Sequence, residues 1–145
     1  IGSSRLNENA SYVSQQFFLD ASAADIPASL HELGRGDYVI NCIGVINKSI
    51  AEESAISRQS ALLTNSLFPY KLDALASELG FKIIQIATDC VFSGEQGSYL
   101  ETSFKNGYGN YAQSKALGEL NNSKDLTFRT SINLKNQVWT YTLVG

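Results

Sequence analysis

Phe81-Lys-Ile-Ile-Gln-Ile-Ala87 runs without interruption into Thr88-Asp-Cys-Val-Phe-Ser-Gly94, and this passage sets the fold. The first half is nearly continuous and apolar, and the second turns polar at once. That is the pattern of a strand buried on both faces of a sheet and ending at its edge. Upstream, Asp37-Tyr-Val-Ile-Asn-Cys-Ile-Gly44 has the same character, bounded by glycines. Downstream, Leu126-Thr-Phe-Arg-Thr-Ser-Ile132 reads as a further strand. A helix over Ser60 to Leu79 separates the first two and stops at Gly80. Pro69 lies inside it, so a kink or break is expected near Leu67-Phe68. A second helix, from about Gly109 to Leu120, separates the later two. Strands alternating with helices predict an α/β chain with a doubly wound, mostly parallel sheet and helices on both faces.

The flanking segments are less regular. Ile1 to Arg5 reads as the tail of a strand running into a polar loop. Gln16 to Asp20 reads as a short strand ending in an acid. Ala24 to Leu33 reads as an amphipathic helix with Ile26, Leu30 and Leu33 on one side, ended by Gly34 and Gly36. Ser93 to Gly107 is glycine-rich and polar, a long surface loop of the kind that carries function when a rigid scaffold holds its ends. After Asn133 the pattern blurs.

The chain has 145 residues, 43% hydrophobic and 17% charged, with a formal net charge of -3. That is enough for one core, and the mild acidity gives no reason to expect nucleic acid as a partner. No apolar run is long enough to span a bilayer, and no secretory pattern opens the chain. Cys42 and Cys90 are isolated and expected to be free thiols, and His31 is the only histidine. A metal site is therefore not expected, and a reduced, cytoplasmic setting is.

In open α/β sheets, ligands bind beyond the carboxyl ends of the strands. Asp20, Asn41 to Gly44, Thr88 to Phe92 and Thr130 to Ile132 all fall at such ends, which points to one cleft. The helix after the long loop begins Gly109-Asn-Tyr-Ala-Gln-Ser-Lys115. Tyr111 and Lys115 are four residues apart and share a helix face. An ammonium beside a phenol favours phenolate. Bringing a phenol from pH ~10 to neutrality takes roughly 4 kcal/mol of differential interaction. A solvated lysine does not supply that, so a bound cofactor or a shielded cleft is implied. On spacing alone, a solvated helix face is the commoner origin of such a pair.

Four separated motifs change that balance: Val39-Ile-Asn-Cys-Ile-Gly44, Asn65-Ser-Leu-Phe-Pro69, Ala87 through Gly94, and Tyr111 through Glu119. In this order and at about this spacing they resemble the extended short-chain dehydrogenase/reductases, and within them the dTDP-4-dehydrorhamnose reductase-type proteins of sugar-nucleotide metabolism. The resemblance covers roughly residues 1–132. It implies a partial NAD(P)-binding, Rossmann-like domain over 1–132, with 133–145 left unassigned or opening a substrate-binding region. The family's first strand and its glycine-rich turn, which cradles the pyrophosphate, have no counterpart in this sequence.

The resemblance further implies site residues. Thr88, Tyr111 and Lys115 match the catalytic hydroxyl, tyrosine and lysine. Ser4 and Arg5 match the end of a second strand, where they would face an adenosine 2′-phosphate and favour NADP over NAD; Arg5 as a surface-loop arginine is the other reading. Asp20 matches a position beside the adenine. Cys42, Ile43 and Gly44 would line the cofactor, with Gly44 allowing close approach. Asn65 matches a helix asparagine that supports the lysine, against ordinary helix packing. Asp89, Cys90, Val91 and Phe92 would face a nucleotide-sugar substrate. Related dehydratases carry Glu where Cys90 stands, so simple carbonyl reduction is expected in place of dehydration. The implied activity is NADP-dependent reduction of a 4-keto-deoxysugar nucleotide for surface polysaccharide synthesis. A sugar-nucleotide epimerase or reductive epimerase, or a non-catalytic regulatory subunit of the same fold, are the alternatives. Relatives often pair through helices, so a homodimer is compatible with the sequence.

Overall fold

The computed structural model describes residues 19–26, 28–46, 49–133 and 138–144. A short 3-10 helix, Ala28–Glu32, leads to strand β1, Tyr38–Asn41. Helix α1 spans Ala55–Ala61, passes into a π-helical turn, Leu62–Leu67, and continues as α2, Phe68–Leu79. Strand β2, Lys82–Thr88, follows, and a 3-10 turn, Asp89–Val91, closes its end. Helix α3 spans Gly109–Leu117, and strands β3, Leu126–Asn133, and β4, Val138–Val144, complete the order.

The sheet order is β1-β2-β3-β4. β1, β2 and β3 are parallel, with Asn41 opposite Gln85 and Thr88 opposite Thr130. Their carboxyl ends therefore lie side by side, as the alternating pattern requires. β4 runs antiparallel to β3, with Thr130 opposite Tyr141. The sequence reading leaves this strand out. The alternation of Trp139, Tyr141 and Leu143 with Thr140 and Thr142 is the signal that marks it.

The core packs α2 onto β2: Phe68, Leu72, Leu75 and Ala76 meet Phe81 and Ile83, with Ala21, Leu30 and Leu120 closing the edges. β2 is the middle of the three parallel strands, and Ile83, Gln85 and Ala87 are buried along one face. Asn41 donates to the Gln85 side-chain oxygen at 2.8 Å, a buried polar pair that pins the register of β1 on β2.

Two expectations are corrected. β1 is not buried on both faces: Tyr38 is 62% and Ile40 61% exposed. An apolar run reports that a strand is hydrophobic and leaves open whether each face has a covering layer. β1 lies at one end of the described sheet, and the described helices α2 and α3 both lie over the opposite face, that of Ile83 and Thr127. The helix over Ala24 to Leu33 shrinks to the 3-10 turn, because Pro27 disfavours helical backbone at the preceding residue. The kink or break expected near Leu67-Phe68 takes the form of a π-helical turn, Leu62–Leu67, that ends at this point. Pro69 sits in the first turn of α2, and the preceding π turn absorbs the misfit between its ring and the carbonyl of Asn65. The proposed strand over Gln16 to Asp20 lies mostly outside the described residues, and Leu19 and Asp20 are irregular.

Candidate active site

The end of β2 collects the chemistry. Thr88 is its last residue and is buried. Its hydroxyl caps the following 3-10 turn, accepting from the Cys90 N–H at 3.2 Å, and reaches Asp89 Oδ1 at 3.4 Å. Tyr111, in the first turn of α3, is half-buried beside it. Burial pushes the Tyr111 phenol above its ordinary pKa; the Thr88 hydroxyl pulls the other way, and the thiol of Cys90 and carboxylate of Asp89 push up further. Lys115 is buried, and its Nζ donates to the Ile86 carbonyl of β2 at 2.9 Å. Burial holds its pKa below the usual lysine value, against the attraction of Glu119 and Cys42. Thr88, Tyr111 and Lys115 thus converge at one strand end.

The expected depression of the Tyr111 pKa by Lys115 is absent, and the shift runs upward. The reason is geometric. The ammonium is committed to a backbone carbonyl of β2, and desolvation of the phenol outweighs the groups around it.

The helix bearing this pair is held from two sides. Asn65, in the π turn, accepts from the Val45 N–H at 2.8 Å and donates to the Val45 carbonyl at 3.0 Å and to Ser114 Oγ at 3.0 Å. Ser66 donates to the Ser114 carbonyl at 2.7 Å. One asparagine therefore ties the segment after β1 to α3. Gly118 allows this closeness, since a Cβ there would collide with the Asn65 carbonyl oxygen. A Cβ on Gly44 would stand 3.3 Å from Asn65 Oδ1 and 3.7 Å from Lys115 Nζ, so Gly44 lies directly over the lysine. At the other end, Glu52 receives the Asn110 N–H at 3.0 Å, and the Asn110 side chain donates to the Glu52 carbonyl at 3.2 Å. Tyr108, at the N-cap of α3, makes no side-chain cap, so a carboxylate from a distant loop serves instead.

Next to the strand end is a cleft of about 420 Å³ lined by Asp89, Cys90, Phe92, Ser93, Tyr99 and Arg129, among others. Phe92 and Tyr99 stack at 4.4 Å between ring centroids. Arg129 of β3 lies 4.9 Å over the Phe92 ring. The sequence reading missed Arg129; its signal was a charged residue in the middle of an otherwise uncharged strand.

The other expected site residues divide. Cys42, Ile43 and Gly44 form an exposed ledge beyond β1. Asp89 and Cys90 are exposed in the cleft, and both cysteines are free. Val91 is fully buried and does not face the cleft, because the 3-10 turn rotates it under the strand end. Asp20 is exposed and turned on itself, its Oδ1 accepting from the Ser22 N–H at 2.9 Å and the Ser22 hydroxyl at 2.7 Å, which lowers its pKa. Ser4 and Arg5 lie outside the described residues. Among the described residues there is no cluster of metal-ligating side chains, and no helix is long and apolar enough to cross a membrane.

No curated protein matches the chain. Among solved structures, a hypothetical dTDP-4-dehydrorhamnose reductase from Sulfolobus tokodaii superposes with a TM-score of 0.63 at 24% identity, covering 83% of this chain and 44% of its own. The dTDP-4-dehydrorhamnose reductase of Bacillus anthracis, solved in complex with NADP, gives 0.56 at 23% identity, covering 69% and 35%. One from Clostridium acetobutylicum gives 0.49 at 30% identity, covering 57% and 29%. The chain thus spans less than half the length of each. The first two likenesses show a Rossmann-like fold. The family model described as RmlD substrate binding domain matches residues 7–137, which include both the parallel sheet and the Thr88, Tyr111 and Lys115 cluster, and the chain belongs to that family.

Proposed function

We propose that the full-length protein is an NADP-dependent reductase of the 4-keto group of a deoxysugar nucleotide. The observation that carries this reading is the convergence of Thr88, Tyr111 and Lys115 at the carboxyl end of β2, beside an open cleft.

The residues present suit the nicotinamide–ribose half of a dinucleotide. Cys42, Ile43 and Gly44 offer an exposed backbone ledge with no bulk over the lysine. The Lys115 ammonium has three donors, and one is spent on Ile86, which leaves two for ribose hydroxyls. Asn65 sets the height of the ledge by holding both backbone groups of Val45. A bound nicotinamide supplies hydride to the carbonyl carbon. Tyr111 donates its phenolic proton to the carbonyl oxygen. Its raised pKa keeps it protonated at neutral pH, the state in which it can donate. Thr88 turns its hydroxyl from the long contact with Asp89 to the same oxygen and steadies the charge that develops there. Asp89 and Cys90 face the cleft that would take the sugar, and Ser4 and Arg5 are proposed to select the 2′-phosphate. Polysaccharide synthesis in the cytoplasm is the setting this chemistry suits.

The test is NADPH oxidation by the full-length protein with dTDP-4-keto-6-deoxysugars. Tyr111→Phe should abolish turnover while leaving NADPH binding, read by fluorescence titration, in place. Turnover that survives in this variant would remove the mechanism.

A further inference from the structure

The mechanism above leaves one buried charged group unused. Glu119 and Arg129 are 4% and 3% exposed. The guanidinium grips the carboxylate with two parallel bonds, Nε to Oε1 at 2.7 Å and the second nitrogen to Oε2 at 2.9 Å. Its remaining nitrogen donates to the Glu101 carbonyl in the 93–107 loop at 3.1 Å. Its face covers Phe92, which stacks on Tyr99 of the same loop. Lys105, also in that loop, reaches Glu119 Oε2 at 2.6 Å and donates to the Ala116 carbonyl at 3.3 Å. One carboxylate at the end of the catalytic helix thus gathers a strand arginine and a loop lysine.

A buried pair of this kind contributes little net stability compared with apolar residues of the same size. Its geometry is demanding, because only a planar fork can hold a carboxylate, a carbonyl and an aromatic face at once. Glu119 lies just past the C-cap of the helix carrying Tyr111 and Lys115, and its charge acts on Lys115. The loop it anchors supplies Ser93 and Tyr99 to the cleft wall.

We infer that Arg129 and Glu119 are positioning residues that lock the 93–107 loop to the catalytic helix and so set the shape of the cleft at the substrate. Arg129 is a specificity-determining residue that acts through Phe92, Tyr99 and the Glu101 carbonyl. This rests on the reductase reading for its kinetic consequence and on geometry alone for its structural one.

The test uses the full-length protein with Arg129→Lys, which keeps the charge and loses the fork. KM for the sugar nucleotide should rise about tenfold, with kcat changed less and NADPH affinity within about twofold of wild type. Amide hydrogens of residues 93–107 should exchange faster, while those of β2 keep their protection. Lys105→Ala, on the half-buried rim, should move the same readouts in the same direction by a smaller factor. A merely structural pair would weaken NADPH binding and β2 protection together with KM. That result, or wild-type KM with unchanged loop exchange in Arg129→Lys, would overturn the inference. Should the wild type reduce no keto sugar nucleotide, the reductase reading fails, and loop exchange alone still decides the lock.

Discussion

The two ends of α3 are built differently. At the Tyr111 end the phenol is half-buried, its neighbours are single hydroxyl and carboxyl groups, and the helix is capped by Glu52 from a separate loop. At the other end Glu119 and Arg129 are buried and doubly bonded to each other, and Gly118 lets the backbone lie against Asn65. One end is left adjustable, as the proposed ligand site requires, and the other is fixed. The difference teaches how a short helix can carry a residue proposed to react: rigidity is concentrated away from it.

That contrast can be broken at the fixed end. Glu119→Ala strands the Arg129 guanidinium in the interior, and should destabilise by about 3–5 kcal/mol, measured by urea denaturation. Gly118→Ala should cost about 2–3 kcal/mol, since the collision is with backbone that cannot move aside without disturbing the π turn. A loss under about 1 kcal/mol in either variant would mean that this end is not fixed.

Acid sharpens the comparison. Burial pushes the Glu119 pKa up, but Arg129 and Lys105 overcome this and leave it below 4.5. A carboxylate with a depressed folded-state pKa contributes stability above its unfolded value, and this is lost as pH falls through the folded value. The stability gap between wild type and Glu119→Gln should therefore be full above pH 4.5 and close at lower pH, followed by thermal unfolding across an acid series.

Changes at the adjustable end should matter less to stability. Glu52→Gln removes the charge from the α3 N-terminus and should cost about 1 kcal/mol or less, with a lower melting temperature at low salt. Tyr111→Phe should change stability by no more than about 0.5 kcal/mol, although it removes the proton donor of the proposed reaction. A large unfolding effect from Tyr111→Phe would show that the phenol is structural.

Much of this was legible in the chain. β2, β3 and α3 stand where the apolar runs and the Tyr-x-x-x-Lys spacing put them, because periodicity and turn residues act locally. The single strand end shared by Thr88, Tyr111 and Lys115 was also legible, through motifs in register. The exposure of Tyr38 and Ile40 was not, since a run of apolar residues does not say which face of a strand is covered. Nor was the π turn, because Pro69 announces a misfit without choosing how the helix relieves it.

By itself, the sequence determined the α/β alternation, the strand ends at which Asn41 and Thr88 lie, and the helix face shared by Tyr111 and Lys115. Those follow from backbone geometry over a few residues. Only the tertiary structure decided that Lys115 spends a donor on Ile86, that desolvation raises the Tyr111 pKa, and that Arg129 joins helix, strand and loop. Those depend on distance and burial between groups far apart in the chain, and electrostatic energies change with both.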